Sequence, residues 1–284
     1  MPRRRSKRSL AFAAVLLALS GCSPAPSGTA QETAAPAFDR PTLGLMTSLP
    51  LYWPEGAEMA DLAAGRAAAP WQRGAIETRY RIVPLDTLSP IPALSSEGPE
   101  VDPLAGIDRL AVIQPRGLSP ADNVALDQWV RAGGVLLLML DPALTGDYDT
   151  PLGYPQRPVD SALILPVVGR WGLAVSFDDA QTVAVQPARL GEAELPLVMS
   201  GQVAVTDPAA DCTVLAEGAA ARCEVGKGQV TLIADAALFE HPDLAGEGGA
   251  RLLTLLDAAL DQDNRGNGGN KETRSGKKPG KQGE

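Results

Sequence analysis

Residues 109–140 leave this chain little freedom of architecture. Arg109-Leu110-Ala111-Val112-Ile113-Gln114 is a short apolar run bounded by charge and by Pro115, which reads as a buried strand. Ser119 then offers an N-cap, Pro120 suits the first helical position, and Asp122 favours the positive end of a helix. Val124, Ala125, Leu126, Trp129 and Val130 supply an apolar face, and Gly133-Gly134 permit the left-handed turn that ends the helix. Residues 135–140 are then apolar without a break until Asp141-Pro142. A strand apolar on both faces belongs inside a parallel sheet covered by helices. Strand, capped helix and strand within about 30 residues form a βαβ unit. The expected class is α/β, with a mostly parallel central sheet flanked by helices.

Other segments fit around that unit. Strands are expected at 42–48, 79–85, 173–177 and 229–235, with shorter β segments at 182–186 and 197–205. Helical patterns cover about 57–66 and 161–171, and a final helix at about 249–261 carries Leu252, Leu253, Leu255, Leu256 and Leu260. Residues 86–106, rich in Pro, Ser and Gly, read as a long loop. Cys212 and Cys223 lie on two short β segments joined by a turn at 217–220, an additional hairpin that sets them nearly opposite one another. In an oxidising compartment such a pair forms a disulfide; a reduced structural pair or a metal site are the other readings.

The compartment is suggested by the first residues. Arg3, Arg4, Arg5, Lys7 and Arg8 precede an apolar run at 10–19, which has only half of the roughly 20 residues a membrane span needs. It ends in Leu19-Ser20-Gly21-Cys22, which resembles the lipobox of bacterial lipoproteins, in which the cysteine is lipidated. The expected organisation is a signal peptide at 1–21, a Pro/Ala/Ser/Thr-rich tether at 22–38, an α/β domain at 39–263 and a basic tail at 264–284. Ser23 resembles the sorting pattern that favours the outer over the inner membrane, and the domain would then face the periplasm. Residues 22–263 carry 14 basic against 32 acidic residues. Such a body repels phosphate backbones, so nucleic acid is an improbable partner.

Three blocks carry a family likeness: IDRLAVIQPRGLSPADNVALDQWVRAGGVLLLMLDP at 107–142, WGLAV at 171–175 and GKGQVTLIADAALF at 226–239. Together they resemble the glutamine-amidotransferase-like, flavodoxin-like domain of auxiliary proteins of ABC transport systems, including gliding-motility auxiliary proteins and related DUF4350-like proteins. The likeness implies an amidotransferase/flavodoxin-like fold and a link to a transporter permease and ATPase or another envelope assembly. Family members often carry transmembrane helices. No such segment appears here, and the lipid at Cys22 would substitute.

The residues offer little for catalysis. Amidotransferases of this fold place a nucleophilic cysteine at a strand-to-helix elbow, with a histidine nearby. Here that segment holds no cysteine, and His241, the single histidine, sits in a late loop. No G-x-S-x-G elbow occurs, no metal spacing, and Gly226-Lys227-Gly228 has the form of a tight turn rather than a phosphate loop. No catalytic residue, metal or cofactor is therefore expected. Ligands of open α/β sheets bind beyond the carboxyl ends of the strands. Those ends offer Thr47, Ser48, Gln114, Arg116, Asp141 and Asp235, with Tyr52 and Trp53 from the first loop, as candidate ligand-binding residues. Aspartates at such ends also simply cap turns. The expected function is a non-catalytic envelope lipoprotein that binds a protein or small ligand. The alternative is a degenerate glycan hydrolase using Asp141 and Asp235 as an acid/base pair across an open cleft.

Overall fold

The computed structural model describes residues 40–93 and 98–261. Cys22, the signal, the tether and the basic tail lie outside them. The described chain is built on a seven-stranded sheet of order β2-β1-β3-β4-β11-β10-β9. Its strands are β1 (Thr42–Thr47), β2 (Arg81–Pro84), β3 (Arg109–Ile113), β4 (Val135–Met139), β9 (Cys212–Leu215), β10 (Ala220–Val225) and β11 (Gly228–Ile233). β2, β1, β3, β4 and β11 run parallel, and β10 and β9 close one edge antiparallel. The fold is thus mixed α/β with a mainly parallel sheet and flanking helices. Among the described residues no helix is long and apolar enough to cross a membrane.

Alternation along the strands divides the core in two. Leu43, Leu45, Ala111, Ile113, Leu137 and Met139 face α2 (Trp71–Ile76), α5 (Ala237–Glu240) and α6 (Ala250–Leu260). Met46, Leu110, Val112, Leu136 and Leu138 face α3 (Pro120–Ala132) and α4 (Pro166–Arg170). Every residue of β4 is buried, as its unbroken apolar run requires. α6 buries Leu252, Leu255, Leu256, Ala259 and Leu260, the single stripe of an amphipathic helix.

The α3 start forms a full capping box. Ser119 Oγ accepts from the Asp122 amide at 3.0 Å, and Asp122 Oδ2 accepts from the Ser119 amide at 3.2 Å. Asp122 also does more than cap. Its Oδ1 accepts from Thr87 Oγ1 and from the amides of Leu88 and Ser89, fastening the loop after β2 to the helix. Burial raises this carboxyl's pKa, but the hydrogen bonds outweigh it and hold the group well below the ordinary carboxylate range.

The other end of α3 is a seam of glycines. Gly133 takes φ 129°, a conformation open to glycine. A Cβ at Gly228, at the start of β11, would run into the carbonyl oxygens of Val130 and Gly134. Gly226-Lys227-Gly228 is therefore a tight turn packed under α3, as its composition suggests.

Several segments differ from the sequence reading. The 57–66 pattern yields only α1 (Met59–Ala63), which buries no residue. The 161–171 pattern yields only α4, because Pro166 can start a helix but not continue one. The strand expected at 173–177 is present as β5 (Leu173–Ser176), which pairs antiparallel with β8 (Gln202–Val205) outside the central sheet. The β segments expected at 182–186 and 197–205 are parts of β8 and of a longer ribbon of β6 (Val185–Leu190) and β7 (Ala193–Val198) whose extent its prolines hid, and α2 was not anticipated. Pro187 and Pro196 are paired with each other. Counting from the turn at 191–192, they occupy a non-hydrogen-bonded pair, where neither nitrogen is required to donate. The cysteine hairpin continues the central sheet instead of forming a separate region. Cys212 and Cys223 are register partners in β9 and β10 and form a disulfide.

Two outcomes follow for stability. Gly228→Ala, which overpacks the seam, is expected to cost about 1–3 kcal/mol, measured as a lower urea midpoint with unchanged m-value. Cys212→Ser with Cys223→Ser is expected to cost up to about 3 kcal/mol, and dithiothreitol should then no longer lower the Tm.

Candidate functional site

The connection from β1 leads outward to β2, and the next strand, β3, lies on the other side of β1. At such a reversal the loops diverge and leave a crevice beyond the carboxyl ends of the strands. A cavity of about 580 Å³ occupies that place. Five of the eight candidate residues line it: Thr47 and Ser48 after β1, Tyr52 and Trp53 from the following loop, and Arg116 after β3. Trp53 is 49% exposed at the mouth. Its ring meets Tyr52 edge-on at 4.7 Å, and the Arg73 guanidinium covers Tyr52 from α2 at 4.1 Å. Arg73 is itself paired with Glu77 at 2.8 Å. The aromatic wall is thus propped from behind by a packed ion pair.

Gln114, Asp141 and Asp235 are fully or almost fully buried and do not line the cavity. Gln114 stands at the end of β3 with φ 46°, a strained conformation for a residue with a side chain. It lies at the exit of β3 toward α3. Here the side chain is fully engaged in structural bonds. Its Nε2 donates to the Asp141 carbonyl at 3.0 Å and to the Val159 carbonyl at 2.7 Å, while its Oε1 accepts from the Asp141 amide at 2.9 Å. Ser48 Oγ donates to the Gln114 carbonyl at 2.5 Å and accepts from the Val159 amide at 3.1 Å. The network joins the tops of β1, β3 and β4, and of its members Ser48 lines the crevice.

The two aspartates follow the neighbouring strands β4 and β11, and backbone amides occupy all four oxygens. Asp141 accepts from Ala143 at 2.8 Å and Ala236 at 2.7 Å. Asp235 accepts from Val198 at 2.7 Å and Ala237 at 2.9 Å. Burial pushes the Asp141 carboxyl up to about 7, against the hydrogen bonds from Ala143 and Ala236 and with a further rise from Glu240. Burial, then the charge of Asp141, also pushes Asp235 well above the ordinary range. Glu240 completes this brace, accepting from the Thr145 and Gly146 amides and from the Tyr148 hydroxyl at 2.6 Å. His241 Nε2 lies 2.9 Å from Thr145 Oγ1. An acid/base pair on a glycan needs carboxyls open to a cleft, and these two are closed in turns.

The cavity also holds residues that the sequence reading passed over. Glu55 accepts from the Thr150 amide at 2.8 Å and fastens the 141–165 loop to the mouth. Glu58, Met59 and Leu62 enter from α1, Asp86 from beyond β2, and Gln156 from the long loop. Asp86 obeys the strand-end rule that picked out Thr47 and Arg116. It was missed because nothing in the sequence says that β2 lies beside β1.

The buried carboxyls set a pH dependence. A folded pKa near 7 exceeds the roughly 3.9 of an unfolded aspartate, so the folded state holds this proton more tightly. The resulting stabilisation is complete below about pH 4 and is lost as pH rises toward 7. Asp122, held low, acts in the opposite sense and only as the pH falls below about 4. The Tm is therefore expected to fall between pH 5 and pH 7.5, and Asp141→Asn should flatten that slope in calorimetric scans.

No protein-family model matches the sequence. No curated protein is significantly similar to it. Solved structures to which it is similar include an exo-β-1,4-mannosidase from Opitutaceae bacterium strain TAV5, 15% identical, with a TM-score of 0.42 over 78% of this chain and 36% of that one. A β-galactosidase from Rahnella sp. R3 is 12% identical, with a TM-score of 0.41 over 77% and 31% of the two chains. A cytoplasmic protein from Salmonella typhimurium LT2 is 13% identical, with a TM-score of 0.36 over 67% and 86%. The chain spans about a third of the length of the two glycosidases. At these scores the likeness says nothing of activity or substrate.

Proposed function

We propose that this chain is a non-catalytic binding module of the bacterial envelope, anchored through lipid on Cys22 and accessory to an ABC-type transport or envelope assembly system. The observation that carries the binding reading is the crevice between the β1 and β3 ends, open to solvent and walled by Trp53, Tyr52 and Arg116. The non-catalytic part of the reading draws support from Gln114, Asp141 and Asp235, whose side chains are spent on backbone groups. The parallel order β2-β1-β3-β4-β11 is the arrangement expected of a flavodoxin-like or amidotransferase-like domain. The transport link rests on the resemblance of residues 107–142, 171–175 and 226–239, and the anchor on Leu19-Ser20-Gly21-Cys22. Ser23 favours the outer membrane. The glycan-hydrolase alternative gains no support from two aspartates enclosed by backbone amides.

Crosslinking in intact envelopes tests the reading. Wild-type protein should recover transporter subunits from the membrane fraction. Cys22→Ser should leave the membrane, and Trp53→Ala should stay anchored but lose the crosslinks. Recovery that is indifferent to Trp53, or turnover of glutamine or a glycan by the purified protein, would overturn it.

A further inference from the structure

The charges around the crevice indicate what it holds. This step rests on the reading of the crevice as a binding site. Asp86 stands beyond β2 and Arg116 beyond β3, both exposed at the mouth, and both line the cavity. β1 lies between them, so the two positions are two strand spacings apart, about 10 Å. Of the two further carboxylates in the lining, Glu55 is spent on the Thr150 amide, and Glu58, at the start of α1, accepts no side-chain hydrogen bond among the described residues. Among the described residues neither Asp86 nor Glu58 has an ion-pair partner, although both sit within reach of the same opening. Arg116 donates one bond, to the Arg157 carbonyl at 2.7 Å, and its remaining donors are uncommitted. The same cavity is lined by the apolar surfaces of Leu49, Pro50, Met59 and Leu62 and by the half-exposed ring of Trp53.

We infer that the crevice takes a short peptide with free ends, its ammonium at Asp86 and Glu58, its carboxylate on Arg116, and an apolar side chain against Trp53. Each feature has a physical reason. Fixed charges of opposite sign on the two sides of a cleft reward a ligand that carries both, and the guanidinium fork matches a carboxylate. An extended chain spans about 3.3–3.6 Å per residue, so three residues bridge the 10 Å between the charged positions, whereas a single amino acid does not. A cavity of about 580 Å³ accommodates a ligand of that size. A neutral sugar would stack on Trp53 equally well but would leave both kinds of charge without a partner. The acidic body, with 32 acidic against 14 basic residues over 22–263, repels phosphorylated ligands and tolerates a zwitterion.

The test is calorimetric titration of the mature full-length protein with the tripeptide Ala-Phe-Ala, followed in parallel by tryptophan emission, with Trp53→Phe locating the signal. The N-acetylated and C-amidated forms should each bind at least tenfold more weakly than the free tripeptide. The acetylation penalty should vanish in Asp86→Asn/Glu58→Gln, and the amidation penalty in Arg116→Gln, with the Tm of each variant confirming that it folds. Equal binding of capped and free tripeptides, or penalties that persist in both variants, would overturn the inference. Binding of maltose at Trp53 without binding of the tripeptide would remove the peptide but keep the crevice as a binding site. If neither probe alters Trp53 emission, the binding-site reading itself fails.

Discussion

The amide of Gln114 is the tie on which the functional end of this protein depends. One side chain satisfies the backbone of Asp141 in both directions and the carbonyl of Val159, from a backbone conformation that few residues with a side chain adopt. Without it, the Asp141 amide and, in the long loop, the Val159 carbonyl would lack partners, and the Asp141 carbonyl would keep only the Ala162 amide. That loop, in turn, brings Thr150 and Gln156 to the crevice and is fastened again through Glu55. The strained end of β3 therefore serves as a fixture for the loops around the crevice.

Electrostatics divide the same end of the molecule into two zones. Under the loops after β4 and β11, buried Asp141 and Asp235 and half-buried Glu240 draw amides and a hydroxyl inward and hold the turns together. At the crevice, Asp86, Glu58 and Arg116 are exposed and have no such internal duties beyond the one bond of Arg116. A carboxylate spent on backbone donors is a structural part, while one left facing an open cavity is available to a ligand. Strand-end position alone does not separate the two kinds; burial does.

Much of the scaffold was legible because local physics agreed with the fold. Ser119, Pro120, Asp122 and Gly133 marked both ends of α3, and the apolar run after them could only be an interior strand. The cysteine pair was legible from its spacing across a turn. Misreadings arose where tertiary contacts decide. Pro187 and Pro196 look like breakers until each is placed at a pair that asks nothing of its nitrogen. β5 has the composition of a sheet strand, yet it pairs with β8 outside the central sheet. Of the eight candidate residues, five meet at the crevice and three are buried braces, and a strand-end rule treats both groups alike.

The sequence by itself determined the class of fold, the βαβ centre, the cysteine pairing and the overall negative charge, because these follow from short-range patterns and from composition. Only the tertiary structure decided that β2 lies outside β1, and so that Asp86 and Arg116 line one cavity. It also decided that Gln114, Asp141 and Asp235 are buried. Which strand lies beside which, and which polar group is buried, are set by packing between segments far apart in the chain, and no local spacing records them.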